Sequence, residues 1–477
     1  MSHAESMQLR KHAPWKVLDG FGRSVVAASR YAAPESADEL ASLVSRARAE
    51  GLPVTFRGSG RSYGDASLNS AGLVIDGTKL NKMIGWDPGT GIAELQGGVT
   101  IEGLWRRTIT DGYWPHVVPG TMFPTMGGCL SMNIHGKNNF KEGPFGEHVL
   151  DFDLVTPEGS FLRCSREENA DVFFTAISGL GLLGAITRVR VQLKKVGSGL
   201  VRVDPCAVSS LREMFEEFEK RIPHSDYLVG WVDCLSEGAE LGRGEIHQAN
   251  YLHEDEDPMG PVGFHTERQT LPTRILGFPK DKLWLFMRPF FNNPGVRLIN
   301  TAKVISARMN HGKKYLQSHV GFAFLLDYVP NWRLAYGDAG FIQYQVFIPK
   351  ETALGAMEDI LRMAQEAKLP SYLGVFKRHR LDDFCLSHSV DGYSLAMDYR
   401  VTRENRDRLW ALTRRFTERV LQAGGRFYFA KDAVLDADQV KAAYGEERLA
   451  RFRAMKERLD PNRVLMSDLG RRVLGLA

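Results

Sequence analysis

Short apolar stretches separated by glycine turns fill the first part of the chain. Residues 53–56, 73–76 and 92–95 are apolar runs of strand length, and residues 185–193 alternate apolar and polar side chains. Such an alternation has the period of a half-buried strand. The pattern therefore predicts four strands before residue 195.

Helix signals lie between these strands. Ser36 and Glu39 have the spacing of a capping box, which opens a predicted helix. Thr100 is the predicted N-cap of a second helix, and residues 169–177 have a helical pattern. Helices and strands mixed in this way predict an α+β domain over residues 1–195.

The pattern changes after residue 195. Longer apolar runs from 196 to 420 predict a second domain. The remaining tail, residues 421–477, contains a predicted strand at 426–430 and a charged helix, and we expect it to return to the first domain.

The composition is that of an ordinary folded protein, with 43% hydrophobic and 25% charged residues among 477. A net charge of +4 is too small to indicate nucleic-acid binding, and we expect none. The five cysteines are odd in number and widely spaced, without a C-x-x-C pair. Neither a disulfide framework nor a metal site is expected, and a reducing compartment fits best.

The chain also shows no signal-peptide pattern at its start and no apolar run of about 18 residues. We therefore expect a cytoplasmic protein. The basic segment described below adds an expected contact with the inner membrane surface, and export to the periplasmic side by a route without a signal stays open.

Three segments are rich in glycine: residues 57–65, residues 119–128 with 133–138 after them, and residues 178–184. Glycine lets backbone N–H groups converge on an anion without a side chain in the way. Each segment alone is better explained as a tight turn between strands. Three of them in one domain favour an extended anionic ligand such as a dinucleotide.

The third segment contains a formal G-x-G-x-x-G at Gly179, Gly181 and Gly184. A Rossmann fingerprint must follow a strand and open a helix. Here a predicted helix precedes the glycines and a predicted strand follows them. A nicotinamide-type Rossmann domain is therefore rejected, and the motifs of P-loop NTPases and zinc proteases are absent from the sequence.

These motifs resemble the FAD domain of the vanillyl-alcohol-oxidase (PCMH-type) superfamily. The resemblance rests on residues 58–65 (GSGRSYGD), the turn at 119–121 with Gly127 and Gly128, and residues 134–138 (IHGKN). More narrowly, the chain is similar to the family of oxidase subunits of decaprenylphosphoryl-β-D-ribose 2′-epimerases. That likeness continues in RLAYG at 333–337, GFIQYQVFIP at 340–349, VFK at 375–377, GGRFYFAKD at 424–432, DPNRV at 460–464 and SD at 467–468.

The resemblance implies a fold. FAD is expected between two α+β subdomains, with the tail returning to it, and a substrate domain on an antiparallel sheet with flanking helices. Many superfamily members attach FAD through a histidine where this chain has Arg61, so dissociable FAD is implied. Some closer members carry a cysteine where this chain has Ala396.

The resemblance also implies site residues. Those expected to bind the cofactor are Arg57, Gly58, Ser59, Gly60, Arg61, Ser62, Tyr63, Gly64, Gly120, Thr121, Thr125, Gly127, Gly128, Asn133, His135, Gly184, Ile186 and Tyr428. Lys431, Tyr63 and His135 are the expected catalytic residues. Lys431 would stabilise the reduced flavin ring and hold the hydroxyl proton of the substrate.

Four further residues, together with Lys431, are expected at the substrate. Gln343 and Gln345 lie two apart, on one face of an extended strand, and can bind sugar hydroxyls. Lys137 and Lys377 are candidates for contact with a substrate phosphate. Without the resemblance, the glutamines would be ordinary strand residues and the lysines ordinary solvated ones.

The implied reaction is oxidation of a secondary sugar hydroxyl, C2 of a polyprenylphosphoryl-β-D-ribose. An NAD(P)H-dependent keto-sugar reductase is the implied partner, and a quinone or oxygen the electron acceptor. Two alternatives stay open at this point: an alditol or aldonolactone oxidase, and a non-catalytic scaffold that keeps the FAD fold.

Residues 270–326, the basic apolar segment, carry nine lysines and arginines and one acid, Asp281. Aromatic residues at 284, 286, 290 and 291 are interleaved with these charges. Basic and apolar side chains together suit the surface of an anionic membrane. The alternative is a basic cover over the second domain, with its aromatic side chains in the core.

Overall fold

The computed structural model describes residues 9–275 and 277–476. In this part of the chain, twenty strands form three sheets and one two-stranded ribbon. Helices cover the sheets, and the α+β class predicted from the sequence is confirmed.

The first sheet is small and mixed. It consists of β1 (Trp15–Asp19), β2 (Val26–Ala32), β3 (Val54–Arg57) and β4 (Leu73–Asp76), in the order β1-β2-β4-β3. Strand β4 is parallel to both neighbours. The chain crosses from β2 to β3 through helix α2 (Ala37–Ala49), so these two strands also run in the same direction. A four-residue helix, α1, precedes this sheet at positions 9–12.

The second sheet is antiparallel, with the order β5-β6-β10-β8-β9 and β7 paired to β10. Its strands are β5 (Met83–Asp87), β6 (Ile92–Gln96), β7 (Tyr113–Pro115), β8 (Val149–Val155), β9 (Phe161–Ser165) and β10 (Ala185–Lys195). Strand β10 alternates buried and half-buried positions as its sequence predicted. The accompanying helices are α3 (Ile101–Thr108), α4 (Met126–Ser131), α5 (Asn139–Glu142) and α6 (Ala170–Ala176).

The order of α6 and β10 around the third glycine segment confirms that this segment is not a Rossmann turn. The predicted N-caps are also confirmed. Ser36 Oγ accepts from the Glu39 N–H at 3.1 Å, and Thr100 Oγ1 accepts from the Gly103 N–H at 3.1 Å. The capping box differs in one bond, since the Glu39 carboxylate accepts from the N–H of Glu35.

The large sheet is an eight-stranded antiparallel sheet with the order β16-β11-β13-β12-β18-β19-β17-β20. Its strands are β11 (Leu200–Val208), β12 (Tyr227–Val232), β13 (Gly244–Tyr251), β16 (Tyr315–Ser318), β17 (Phe341–Pro349), β18 (Gly374–His379), β19 (Gly392–Arg400) and β20 (Arg426–Phe427). The ribbon β14 (Arg274–Ile275) and β15 (Phe278–Pro279) stands apart from it.

Helices complete this half of the molecule. They are α7 (Leu211–Arg221), α8 (Leu283–Met287), α9 (Asn293–Asn310), α10 (His319–Ala323), α11 (Lys350–Glu366) and α12 (Arg406–Gln422). Amphipathic α7, α11 and α12 bury one apolar face each and contact strands of the large sheet. Side chains from strands β12, β13, β17, β18 and β19 line a cavity.

The tail contains α13 (Ala437–Tyr444), α14 (Glu446–Leu459) and α15 (Asp468–Leu474). It contacts the first sheet, where Thr55 Oγ1 donates to the Met466 carbonyl and the Met466 N–H donates to the Val54 carbonyl at 2.8 Å. Arg472 bonds to Asp65 at 2.6 Å and to Asp432 at 2.7 Å. These bonds tie the tail to the first glycine segment.

Strand β20 is shorter than the sequence predicted, since it ends at Phe427 instead of residue 430. The chain turns there, and the Lys431 N–H donates to the Tyr428 carbonyl at 2.9 Å. The carbonyl of Ala430 accepts from the N–H of Tyr63 at 2.7 Å. Lys431 therefore stands on a turn that is bonded to the first glycine segment.

Candidate active site

All three glycine segments meet at one cavity of about 730 Å³. Its walls include residues 57–63, the loop from 119 to 128, and Leu180, Gly181 and Gly184. Small-molecule and cofactor sites are concave cavities of about 300–1,000 Å³. The cavity thus has the size and the backbone lining that a dinucleotide requires.

Two glycines show why the first segment needs its composition. Gly60 has φ of +64°, a left-handed conformation that residues with a side chain rarely adopt. A Cβ on Gly58 would lie 2.2 Å from Oγ1 of Thr125, which belongs to the second glycine segment. The two segments therefore touch, and only a residue without a side chain fits between them.

Two arginines of the first segment have different surroundings. The Arg57 guanidinium donates to Ser67 Oγ at 3.1 Å and to the Asp19 carbonyl at 2.9 Å. Arg61 lies between the rings of Phe21 and Phe123, at 5.3 and 4.7 Å from their centroids. Arg57 is therefore held by hydrogen bonds to protein groups, whereas Arg61 packs against two aromatic rings.

The cavity wall carries polar atoms without a protein partner. Among the described residues, Arg61 Nε and His135 Nδ1 are buried and form no hydrogen bond. Buried polar groups are normally hydrogen-bonded. These two atoms, with the glycine-lined walls, fit a polar ligand such as FAD.

Most of the predicted cofactor residues line this cavity. They are Arg57, Gly58, Ser59, Gly60, Arg61, Ser62, Tyr63, Gly120, Thr121, Thr125, Gly127, Gly128, His135, Gly184, Ile186 and Tyr428. Gly64 and Asn133 do not line it. A Cβ on Gly64 would lie 2.0 Å from the Asp432 carbonyl oxygen, and Asn133 Oδ1 accepts from the Gly146 N–H at 2.9 Å. Both residues shape the loops behind the wall.

The five predicted substrate residues also line the cavity. Gln343 and Gln345 are on β17, and Ala396 on β19 is paired with Gln345. Ala396 is paired in turn with Val375 on β18, and Val375 with Trp231 on β12. Directly paired residues of neighbouring strands point to the same face. A row of side chains therefore crosses the large sheet and forms one wall of the cavity.

Lys431 lies at one end of this wall. Its Nζ is 3.6 Å from the centroid of the Tyr63 ring. Burial lowers the pKa of Lys431 to about 7, the Asp398 carboxyl acts to raise it, and Lys377 acts to lower it further. The amine and ammonium forms are both accessible near neutral pH, which suits a group that takes and returns a proton.

Asp398 is a site residue that the sequence did not indicate. It is fully buried and accepts from Gln343 Nε2 at 2.5 Å and from the Tyr336 hydroxyl at 3.3 Å. Burial raises the pKa of Asp398 to about 7. An acid in the apolar run of β19 is the signal that was available, but its partner Gln343 is 55 positions away.

His135 is neutral in these surroundings. Burial holds its pKa well below the usual range, and the nearby cations Lys377 and Lys431 act in the same direction. Gln345 Nε2 is 3.1 Å from His135 Nε2. The His135 ring therefore holds the side chain of Gln345 in place.

Lys137 and Lys377 differ in how they are held. Lys137 Nζ donates to the Phe322 carbonyl and lies 4.2 Å from the centroid of the Phe322 ring. Lys377 forms no ion pair within the described part of the chain, and burial lowers its pKa to about 8. An ammonium without a counter-charge on a cavity wall is suited to an anionic ligand.

Asp327 also lines the cavity and was not predicted. Its carboxylate accepts from Thr121 Oγ1 at 2.7 Å and from the Met122 N–H at 2.8 Å. Burial raises its pKa to about 6. These bonds join the second glycine segment to the residue that directly follows the basic apolar segment. No short motif signals them, because the two partners are 206 positions apart.

Comparison with known proteins gives two kinds of match. Residues 28–165 match the family model of an FAD binding domain. The decaprenylphosphoryl-beta-D-ribose oxidase of Mycolicibacterium smegmatis is 29% identical, with 96% of this chain and 97% of that protein aligned. Cytokinin dehydrogenase 7 of Oryza sativa subsp. japonica is 33% identical over 40% of this chain and 38% of that protein. Cytokinin dehydrogenase 5 of Arabidopsis thaliana is 31% identical over 41% of this chain and 36% of that protein.

The dehydrogenases are therefore similar to about two fifths of the chain, and the oxidase to nearly all of it. The FAD-domain match includes the first and second glycine segments, which line the cavity with the third. Residues 28–165 therefore belong to an FAD binding domain, and the chain is an FAD-dependent oxidoreductase.

Proposed function

We propose that this enzyme oxidises C2 of a polyprenylphosphoryl-β-D-ribose to the 2-keto sugar. The observation that carries the proposal is the wall of the cavity, where Lys431, Gln343, Gln345 and Lys377 lie together. A relative aligned along 97% of its length carries the name decaprenylphosphoryl-beta-D-ribose oxidase. The wall offers one group for a hydroxyl proton, two amides for sugar hydroxyls and a cation for a phosphate.

The residues of the three glycine segments would hold FAD, which when bound supplies the acceptor for a hydride from carbon. Backbone N–H groups of residues 58–62 and 120–128 would bind its diphosphate. Arg61 replaces the histidine to which many relatives attach the flavin. We expect this enzyme to release its flavin on acid precipitation, whereas flavin that stays with the precipitate would contradict dissociable binding.

Lys431 is placed to take the proton of the reacting hydroxyl. Its lowered pKa leaves part of it as free amine at neutral pH, and Asp398 supports the protonated form that results. Tyr63, whose own pKa burial raises well above the usual range, stays protonated. The proton thus leaves the hydroxyl for a nitrogen that can hold it within the closed site.

Gln343 is oriented by its neighbour. Its Nε2 donates to Asp398 at 2.5 Å, so its Oε1 is left to accept from a hydroxyl. Gln345 is held in the same manner by His135. Two fixed amides at alternate positions of one strand can select a pentose by the arrangement of its hydroxyl groups.

The product defines the remaining partners. A 2-keto sugar becomes the arabinose epimer when an NAD(P)H-dependent reductase delivers a hydride to the opposite face of C2. The reduced enzyme must pass two electrons to a quinone or to oxygen before it can turn over again. Both partners are part of the proposal.

The proposal includes contact with a membrane surface, on the cytoplasmic side. Among the residues that the structure describes, the basic apolar segment holds eleven of the eighteen exposed large hydrophobic side chains. Phe286 and Met309 are 55% and 66% exposed. The segment covers part of the large sheet through helix α9, but the aromatic side chains of Phe286 and Phe290 lie at the surface and not in the core. Large exposed apolar patches mark interaction surfaces.

The cations of the basic apolar segment favour a membrane surface that carries negative charge. Arg288, Arg297, Arg308 and Lys314 pair with acids outside the segment. Arg274, Lys280, Lys282 and Lys313 form no ion pair among residues 9–275 and 277–476. No helix in that part of the chain is long and apolar enough to cross a bilayer. An apolar surface with free cations fits the surface of an anionic bilayer.

Vesicle flotation tests this contact. Wild-type protein should float with vesicles that contain anionic lipid, and F286E should float much less. The matched control is F161E, which changes a 51% exposed phenylalanine of β9 on a different sheet. Equal flotation of the two variants, or no flotation of the wild type, would contradict membrane contact.

The function itself is tested by anaerobic mixing of the purified holoenzyme with candidate sugars. We expect polyprenylphosphoryl ribose to bleach the flavin absorbance rapidly, and free alditols and aldonolactones to leave it unchanged. Bleaching by free alditols alone would assign the enzyme to alditol oxidation. Protein that stays colourless after addition of FAD would indicate a non-catalytic scaffold.

A further inference from the structure

The cavity continues past Lys377 to a second group of polar residues. Its far wall consists of Trp231 on β12, His247 on β13 and Lys303 on helix α9. None of the three was indicated by the sequence motifs. At the usual spacing of about 4.8 Å between strands, β12 lies about 14 Å from β17, because β19 and β18 stand between them. This end is therefore separate from the two glutamines.

Helix α9 delivers Lys303 into this space. The helix buries Val296, Asn300, Val304 and Ala307 against the large sheet, and Lys303 lies next to this buried stripe. Lys303 Nζ lies 4.1 Å from the centroid of the Trp231 ring. An ammonium over an indole face is held by the ring quadrupole without being neutralised.

The charge of Lys303 is not balanced by an ion pair in the described part of the chain. Burial lowers its pKa to about 8, and Glu245, opposite Trp231 on β13, acts to raise it. Glu245 itself does not line the cavity, and burial raises its pKa. Its Oε1 lies 3.6 Å from Nε2 of His247, the other polar neighbour.

Lys303 forms part of a series of cations along the wall. Lys137 and Lys303 both act to lower the pKa of His247, which burial brings to about 4, so both cations lie near a neutral imidazole. Lys377 acts in turn on Lys137. Lys137, Lys303 and Lys377 all line this cavity, and among the described residues only the Lys137 ammonium of the three donates a hydrogen bond.

We propose that Lys303 binds the phosphodiester of the substrate at the Trp231 end of the cavity, together with Lys377. This rests on the proposed function, since it names the residue that recognises the anionic part of the same substrate. Trp231 holds the ammonium in place and His247, being neutral, adds a hydrogen bond without adding charge. The enzyme would then distinguish glycosyl phosphodiesters from neutral glycosides at a site remote from the reacting carbon.

Calorimetric titration of the holoenzyme tests this assignment. The probes are a geranylphosphoryl β-D-riboside and the neutral geranyl β-D-riboside. K303M should weaken binding of the phosphorylated probe by about 10- to 100-fold, the range for loss of a hydrogen bond to a charged group. Its affinity for the neutral probe should stay near that of the wild type.

Two further variants serve as controls. K82M removes an equal charge from an exposed lysine beside β5, and we expect wild-type affinity for both probes. K303R keeps a cation over Trp231 and should restore most of the affinity that K303M loses. Flavin content and melting temperature of K303M show whether the variant is folded.

The outcomes separate this assignment from the proposed reaction. Equal weakening of both probes by K303M, or no weakening of the phosphorylated probe, would overturn the role of Lys303 even if the flavin is bleached normally. Tight binding of the phosphorylated probe that depends on Lys303, without bleaching, would support the subsite and contradict the oxidation.

Discussion

The two sides of the cavity are built in different ways. The glycine segments present mostly backbone and bring neighbouring stretches of chain together, as where Gly58 meets Thr125. The opposite wall presents side chains from five strands of the large sheet, among them Lys377 and Gln343. A cofactor with a fixed shape can be held by main-chain groups. A charged substrate requires charged side chains, and their pKa values decide whether they carry a charge at neutral pH.

Burial lowers the pKa values of three lysines on this wall. The buried carboxylate of Asp65 is paired with Arg472, which binds the tail to the first glycine segment. Lys431, Lys377 and Lys303 form no salt bridge with the residues that the structure describes, and burial lowers their pKa values to about 7, 8 and 8. Paired charges stabilise the fold here, and unpaired ones remain available to a ligand.

The largest expected effect is that of replacing Lys431, which should slow catalysis at the substrate wall without changing binding of the cofactor. K431M should slow flavin reduction by substrate by about 10²- to 10⁴-fold, the usual contribution of a general acid or base. Its flavin content should stay near wild type, because Lys431 acts on the substrate side. Anaerobic stopped-flow absorbance with K82M as control measures this. A rate within tenfold of wild type would contradict the role of Lys431.

The pH dependence of reduction sharpens the same point. Free amine is the active form, and the pKa of Lys431 is lowered to about 7, so the rate should rise with pH through about 7 and then level off. The Asp398 charge raises the pKa of Lys431, so D398N should move the midpoint to lower pH. A midpoint that is unchanged in D398N, or that moves upward, would show that Asp398 does not act on Lys431.

A substitution in the first glycine segment should weaken binding of the flavin and leave binding of the substrate unchanged. G60A forces a side chain into a left-handed conformation, at a cost of about 1–2 kcal/mol, or about 5- to 30-fold in flavin affinity. Substrate affinity of the flavin-loaded fraction should stay near wild type. Flavin retention during dialysis measures the loss.

G355A is the matched control, since a Cβ there meets nothing closer than 3.9 Å. Equal flavin loss in G60A and G355A would remove the first glycine segment from the cofactor site.

The smallest expected effect concerns Ala396, which lines the wall between Gln345 and Val375. A396C should leave flavin reduction close to wild type, because no step assigned to the wall uses that position. It should also add one thiol that a small maleimide labels, because Ala396 lines the cavity, whereas the five native cysteines are buried and do not line it. Mass spectrometry of intact protein counts the adducts, and labelling of the wild type would contradict the burial of its cysteines.

The same contrast explains which parts of the fold and of the site could be predicted from the sequence. The strands at 73–76 and 185–193 follow from local apolar periods, and the glycine segments from local composition. Asp398 and Trp231 enter the site only through the pairing of strands far apart in sequence. Helix α9 illustrates a mixed case, because its charge was visible in the sequence, but the direction of Lys303 depends on which face packs against the large sheet.

The central claim is that the wall carrying Lys431 removes a proton while hydride leaves C2 of a phosphorylated ribose. The most direct measurement is anaerobic flavin reduction by polyprenylphosphoryl ribose with hydrogen or deuterium at C2. The account predicts rapid bleaching that deuterium at C2 slows. Bleaching at the same rate with either isotope, or no bleaching at all, would contradict it.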